Sequence, residues 1–118
     1  MEEKQNIFGC HYIVEYIGCD TEKLKWSAPV EEALLESARL SQATIKQHAV
    51  HQYEPNGVSG FIFIAESHVS VHTWPESQYV AFDVLTCGEK MDSQVIIDYM
   101  RDFFKASKTN VQKILRGF

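Results

Sequence analysis

Residues 54–74 read "EPNGVSGFIFIAESHVSVHTW". Pro55, Asn56 and Gly57 form the strongest turn signal in the chain, because each presets or tolerates turn backbone. A continuous apolar run of strand length follows in "FIFIAES". "HVSVHTW" is a further strand segment, with Val69, Val71 and Thr73 as its β-branched frame, and Pro75 stops it. Glu66, Ser67, His68 and His72 therefore sit on backbone that wants to be sheet. Three chemistries compete for them: a metal site, a hydrolase nucleophile, or a serine that acts on its own backbone.

Outward from this segment, "CHYIVEY" (10–16) reads as a first strand and "IGCDTEKLKWSA" as a loop. Pro29 opens a helix, with Glu31 and Glu32 in its first turn, where the helix dipole favours them. Val30, Ala33, Leu34, Ser37, Ala38 and Ser41 recur at helical spacing and give a face of mostly small residues. "TIKQHAVHQY" (44–53) and "YVAFDVLT" (79–86) are strands, the latter ended by Cys87-Gly88. Asp92 starts a second helix with Val95, Ile96, Tyr99 and Phe103 on one side, and "TNVQKIL" (109–115) reads as a last strand. Two helices against four or five mainly antiparallel strands make a two-layer α+β sandwich. So small a sheet leaves one face uncovered. A second copy would cover it, so a homodimer in a four-layer αββα arrangement is expected.

The totals agree with a single domain. The chain has 118 residues and 45% hydrophobic content, enough to bury a core. Net charge is -5, all of it in residues 1–66 (5 basic, 10 acidic), since residues 67–118 carry 6 and 6. Nothing is basic enough to suggest nucleic acid. Cys10, Cys19 and Cys87 are odd in number and lack CxxC spacing, against a disulfide framework or zinc knuckle. No signal peptide or membrane-spanning apolar run is read in the sequence, and a reducing cytoplasm is expected.

Spacing weighs on the three chemistries. On a strand, His68 and His72 lie ~13 Å apart, too far for one metal, and Cys87 brings no evident third ligand. A hydrolase would need a GxSxG elbow, which is absent. Ser67 and His72 differ by five, so a regular strand points them to opposite faces, ~16 Å apart along its axis. A base must approach its nucleophile to about 3 Å. Either the strand breaks, or the histidine serves a serine from another molecule. A hydrogen-bonded surface pair is the plain alternative.

The whole string resembles a known family. "GVSGFIFIAESHVSVHTWPE" followed by "YVAFDVLTCG" is similar to the bacterial and archaeal S-adenosylmethionine decarboxylases, with their GVSG turn, ESH triplet, HTWPE segment and D-x-x-TCG strand end. "GCHYIVEY" resembles that family's G-x-H-x-x-x-E opening. The resemblance runs from about residue 9 to 90. It implies a proenzyme cut between Glu66 and Ser67, leaving subunits 1–66 and 67–118. It also implies a pyruvoyl group made from Ser67, which does the work of pyridoxal phosphate through a Schiff base, with neither that cofactor nor a metal. Decarboxylated S-adenosylmethionine, a precursor for spermidine and other polyamines, would be the product.

Residue roles follow from the matched motifs. Ser67 supplies the pyruvoyl, His72 resembles the processing histidine, and Ser59 the serine that assists it. Cys87 resembles the acid that reprotonates the α-carbon; without the motif it reads as a small buried residue. Tyr53 stands where the family usually has a phenylalanine that stacks on adenine, and Glu76 resembles the carboxylate that binds ribose. Asp83 shares the parity of Cys87. In this family the sites lie at the dimer interface, with Ser59, His72, Tyr53 and Glu76 from one chain and Ser67 and Cys87 from its partner. That resolves the parity conflict. "WPESQYVAF" replaces the commoner "WPEYGYAAV", and Leu85 the usual phenylalanine. Relatives with the same apparatus use arginine or ornithine, and a non-catalytic homologue acting as a binding partner is the remaining alternative.

Overall fold

The computed structural model describes residues 6–87 and 91–118. Gly88, the last residue of the TCG motif, lies outside the described residues. The elements run β1 (Ile7–Ile17), α1 (Ser27–Leu40), β2 (Ile45–Gln52), β3 (Val58–Ile64), β4 (Ser67–Trp74), β5 (Tyr79–Thr86), α2 (Ser93–Phe104) and β6 (Lys108–Gly117). The strands form one antiparallel sheet of order β2-β3-β4-β5-β1-β6. The α+β class is as expected. Six strands pair rather than four or five, because "FIFIAES" and "HVSVHTW" are separate full strands and the C-terminal segment pairs along all of β1.

Alternation decides the layers. On β4 and β5, Val69, Val71, Val80, Phe82 and Val84 are buried on one face, against Val30, Leu34 and Ala38 of α1 and Ile96, Ile97, Met100 and Phe104 of α2. The alternate residues Ser70, His72, Ala81 and Asp83 form the opposite face, which no described element covers. Phe63, Trp74 and Ile114 remain exposed.

Two helix details differ from expectation. Helix α1 begins at Ser27, so Pro29 is its third residue and Glu31 lies beyond the first turn. Pro29 is tolerated there because first-turn N–H groups have no partner within the helix. The helix start is held from outside: Ser27 N–H donates to Gln52 Oε1 at 2.7 Å, and Gln52 Nε2 donates to Lys25 O at 2.8 Å. Glu31 pairs with His48 at 3.0 Å. In α2, Asp92 caps as expected, accepting from Gln94 N–H at 3.0 Å. The buried stripe is Ile96, Ile97, Met100 and Phe104, with Tyr99 and Phe103 only partly covered. The apolar arc of α2 is broad, and the sheet takes its middle.

Strands β3 and β4 are joined by a two-residue turn, Ala65-Glu66, closed by the pair Ile64↔Ser67. Such turns favour Asn-Gly or Asp-Gly, whose backbone tolerates positive φ. Here neither turn residue has positive φ, and the irregularity falls on Ser67, at φ 155°.

Candidate active site

Two clefts lie at opposite ends of β4. The first is built on the uncovered face, where register sets Ser59 of β3 directly opposite His72 of β4. Ser59 Oγ lies 2.8 Å from His72 Nδ1. Ser59 also donates to the Tyr53 hydroxyl at 3.2 Å. Gly57, at φ 112°, turns the chain between Tyr53 and Val58, a conformation that side chains disfavour. Tyr53, Ser59, His72, Trp74 and Glu76 line a cleft of about 290 Å³. This end therefore gathers a hydroxyl, an imidazole, an aromatic ring and a carboxylate, as the matched motifs imply.

The second cleft is built from backbone. The Glu66 carbonyl accepts from Cys87 N–H at 2.8 Å and from Cys87 Sγ at 2.9 Å. Two donors on one carbonyl oxygen form the arrangement that stabilises a tetrahedral oxyanion. Glu66 itself is only 8% exposed, and its carboxylate accepts from Thr44 N–H at 3.1 Å. Both sides of the Glu66 residue are thus held, and the strained φ of Ser67 lies next to the held carbonyl. Phe8, Gly9, Ser67, Leu85, Cys87 and Arg116 line a cleft of about 200 Å³ here. Gly9 allows β1 to close over it: a Cβ there would lie 3.3 Å from both Leu85 Cδ1 and Thr86 O.

The three cysteines separate by environment. Cys87 is exposed and engaged with Glu66, whereas Cys19 is buried, and burial pushes its thiol up to about 11. Cys10 is of intermediate exposure, and of the three only Cys87 lines the Ser67 cleft.

Ser67 is not brought to His72. Ser67 pairs with Ile64 and Thr86, whose side chains turn to the helix side, while His72 projects from the uncovered face five residues on. The spacing argument stands within one chain. The two strand histidines also diverge: His72 bonds Ser59, while His68 Nε2 lies 3.1 Å from Asp83 Oδ2. Instead, His11, His68 and Asp83 bring their ligating atoms within 4.8 Å of one another. Asp83 is thus on the uncovered face with its own partners and does not touch Cys87 in the described contacts.

Sequence reasoning passed over three residues. His51 packs edge-on against the Tyr53 ring at 4.6 Å; its equal parity with Tyr53 was the available signal. Trp74 stands between His72 and Tyr79, at 6.5 and 5.5 Å. Arg116 enters the Ser67 cleft because β6 pairs it with Gly9, a contact between the two chain ends that no local pattern announces.

Known proteins share this sequence pattern and this fold. The chain is similar to the S-adenosylmethionine decarboxylase proenzyme of Pyrococcus furiosus, 44% identical over 109 residues, covering 92% of this chain and 78% of that protein. The proenzyme of the same description from Thermococcus gammatolerans is 43% identical, covering 99% of this chain and 81% of its own. The crystal structure of the adenosylmethionine decarboxylase from Aquifex aeolicus superposes with a TM-score of 0.89 at 27% identity, over 96% of this chain and 93% of that one. The family model described as S-adenosylmethionine decarboxylase matches residues 10–117, nearly every residue that builds the sheet and both clefts, and the chain belongs to that family.

Proposed function

We propose that the chain is a self-processing, pyruvoyl-dependent decarboxylase of S-adenosylmethionine, cut between Glu66 and Ser67. The observation that carries this is the doubly hydrogen-bonded Glu66 carbonyl beside a strained Ser67. The Ser67 hydroxyl adds to the Glu66 carbonyl carbon, and Cys87 N–H and Sγ–H stabilise the charge that develops on oxygen. The C–N bond breaks, the nitrogen of residue 67 takes a proton as an amine, and an ester remains. A base then removes the Ser67 α-proton; the Glu66 carboxylate leaves, and water releases ammonia from the resulting dehydroalanine. The terminal pyruvoyl so formed supplies an electron sink for carbon dioxide loss.

The chain's own residues do the rest. Cys87 lies beside position 67 and can return a proton to the substrate carbon. Tyr53 offers a ring face to adenine and to a sulfonium, and Glu76 offers a carboxylate to ribose. Ligand sites commonly measure about 300–1,000 Å³, and clefts of about 290 and 200 Å³ each fall short of one. A homodimer that brings the His72 cleft of one chain to the Ser67 cleft of its partner supplies a full site and covers the open face. The substrate for which the relatives are named favours S-adenosylmethionine over arginine or ornithine. Its product would feed polyamine synthesis in the cytoplasm; no helix among the described residues is long and apolar enough to cross a membrane.

The test is co-expression of Ser67→Ala with His72→Ala chains. The mixed dimer has one unspoiled site and should cut only its His72→Ala chain, read by intact mass. Absence of any cut in that mixture, when the native chain cuts, overturns the shared site. Carbon dioxide release from S-adenosylmethionine, arginine and ornithine, compared on the native enzyme, fixes the substrate.

A further inference from the structure

Asp83, outside the two clefts, takes hydrogen bonds from three side chains on the uncovered face. Its Oδ2 accepts from His11 Nε2 at 2.7 Å and from His68 Nε2 at 3.1 Å. Ser70 donates to its other oxygen, Oδ1. Arg116 Nη1 lies 3.1 Å from His11 Nδ1. Arginine can only donate, so Nδ1 of a neutral His11 must accept, and Nε2 must carry the proton that goes to Asp83. The donors are therefore ordered from Arg116, which lines the Ser67 cleft, through His11 to Asp83, and His68, the residue next to Ser67, donates to the same carboxylate from the other side. That direction opposes a metal on His11 Nε2, which would need Nδ1 to hold the proton that Arg116 displaces.

The placement gives this network a purpose. The registers set His68 and His11 on either side of Leu85, one strand each, with Asp83 two residues back on β5 between Ser70 and Ile13. Three strands are thus tied across the sheet at the place where β4 begins. Upstream of the Glu66–Ser67 bond, Glu66 is held through its carboxylate by Thr44 and through its carbonyl by Cys87. Downstream, the first side-chain tether is His68 to Asp83. That tether remains after a cut at residue 67, when the nitrogen of His68 would carry the new keto group.

We propose that Asp83 is a positioning residue which, through His68 and with His11 as its brace, fixes the start of β4 and so aims the group at position 67 for both cutting and decarboxylation. This rests on the pyruvoyl reading above. A misplacement of about 1 Å can cost a reaction on the order of 100-fold, so loss of the tether has room to act without unfolding the sheet.

The experiment is a double-mutant cycle on the full chain with Asp83→Asn and His68→Gln. Cutting is followed by intact mass, kcat and KM by carbon dioxide release from the processed fraction, and the fold by near-ultraviolet circular dichroism. Asp83→Asn should slow cutting and lower kcat by roughly tenfold with KM within about twofold, and the double variant should be no slower than the slower single variant. An unchanged kcat, or effects that multiply, overturns the proposal. So does Zn²⁺ binding by the native protein that Asp83→Asn abolishes, which would make the trio a metal centre. If Asp83→Asn fails to fold, Ser70→Ala replaces it and should couple to His68→Gln with a smaller loss; no coupling overturns the proposal equally. A native chain that never cuts sinks the pyruvoyl reading itself, whereas a native chain that cuts beside an Asp83→Asn chain of equal rate sinks only this inference.

Discussion

The two ends of β4 are built on different principles. At the His72 end, the cleft is built from side chains whose meeting is fixed by cross-strand register: a Ser59 hydroxyl opposite an imidazole, with Tyr53 behind. At the Ser67 end the cleft is built on backbone: a carbonyl clamped by Cys87 and a residue in a sparsely populated conformation. One end has a base and no carbonyl. The other has a carbonyl, a hydroxyl and oxyanion donors, and its nearby imidazoles, His11 and His68, are engaged with Asp83. On the proposed reading, each is half of an acyl-transfer device. The half that must be strained sits at a turn, where strain is local. The half that must be exact in distance sits mid-ladder, where pairing fixes it.

This division can be attacked from either side. Ser67→Ala should abolish cutting altogether, leaving one full-length mass after prolonged incubation; a cut in that variant would remove the Ser67 end from the account. His72→Ala should slow cutting by about 10²–10⁴-fold, the usual worth of a positioned base, measured as the half-time of the full-length band. Cys87→Ala should cost about 10²–10³-fold in the same assay, because one of two oxyanion donors is lost while the backbone N–H stays. Tyr53→Phe keeps the ring and removes only a hydroxyl contact of 3.2 Å, so cutting should change by less than about tenfold.

The smallest effect is on stability. Burial pushes the Asp83 carboxyl up, but hydrogen bonds from Ser70, His11 and His68 outweigh it and hold the group below its ordinary value. A lowered folded value contributes stability above the unfolded one, about 3.9, which is lost as pH falls through the folded value. The thermal midpoint of the native chain should therefore exceed that of Asp83→Asn above about pH 4, and the gap should close below it. Asp83 is only half buried, so solvent screening keeps the gap modest.

How legible all this was depends on range. Alternation in β4 and β5 and the turn at Gly57 are local signals, and the two-layer α+β fold follows from them. The separation of Ser67 from His72 needed only strand parity. Helix α1 was misplaced by two residues because its start is held by Gln52, which lies on another strand. The clamp on Glu66 was invisible for the same reason: Cys87 reaches it from 21 positions away. Arg116 and His11 meet only because the last strand folds back on the first. Parity told only that Asp83 shares a face with Cys87; its two histidine partners are diagonal neighbours on flanking strands, and single-strand periodicity carries no such information.

The strand order has a consequence for what a cut at residue 67 would leave. Segment 1–66 contributes β1, β2 and β3, and segment 67–118 contributes β4, β5 and β6. In the sheet, β1 of the first piece lies between β5 and β6 of the second. The fragments would be plaited rather than abutted, sharing three ladders: β3 with β4, β5 with β1, and β1 with β6. Nicked protein would therefore migrate as one body on a native column and come apart only in denaturant.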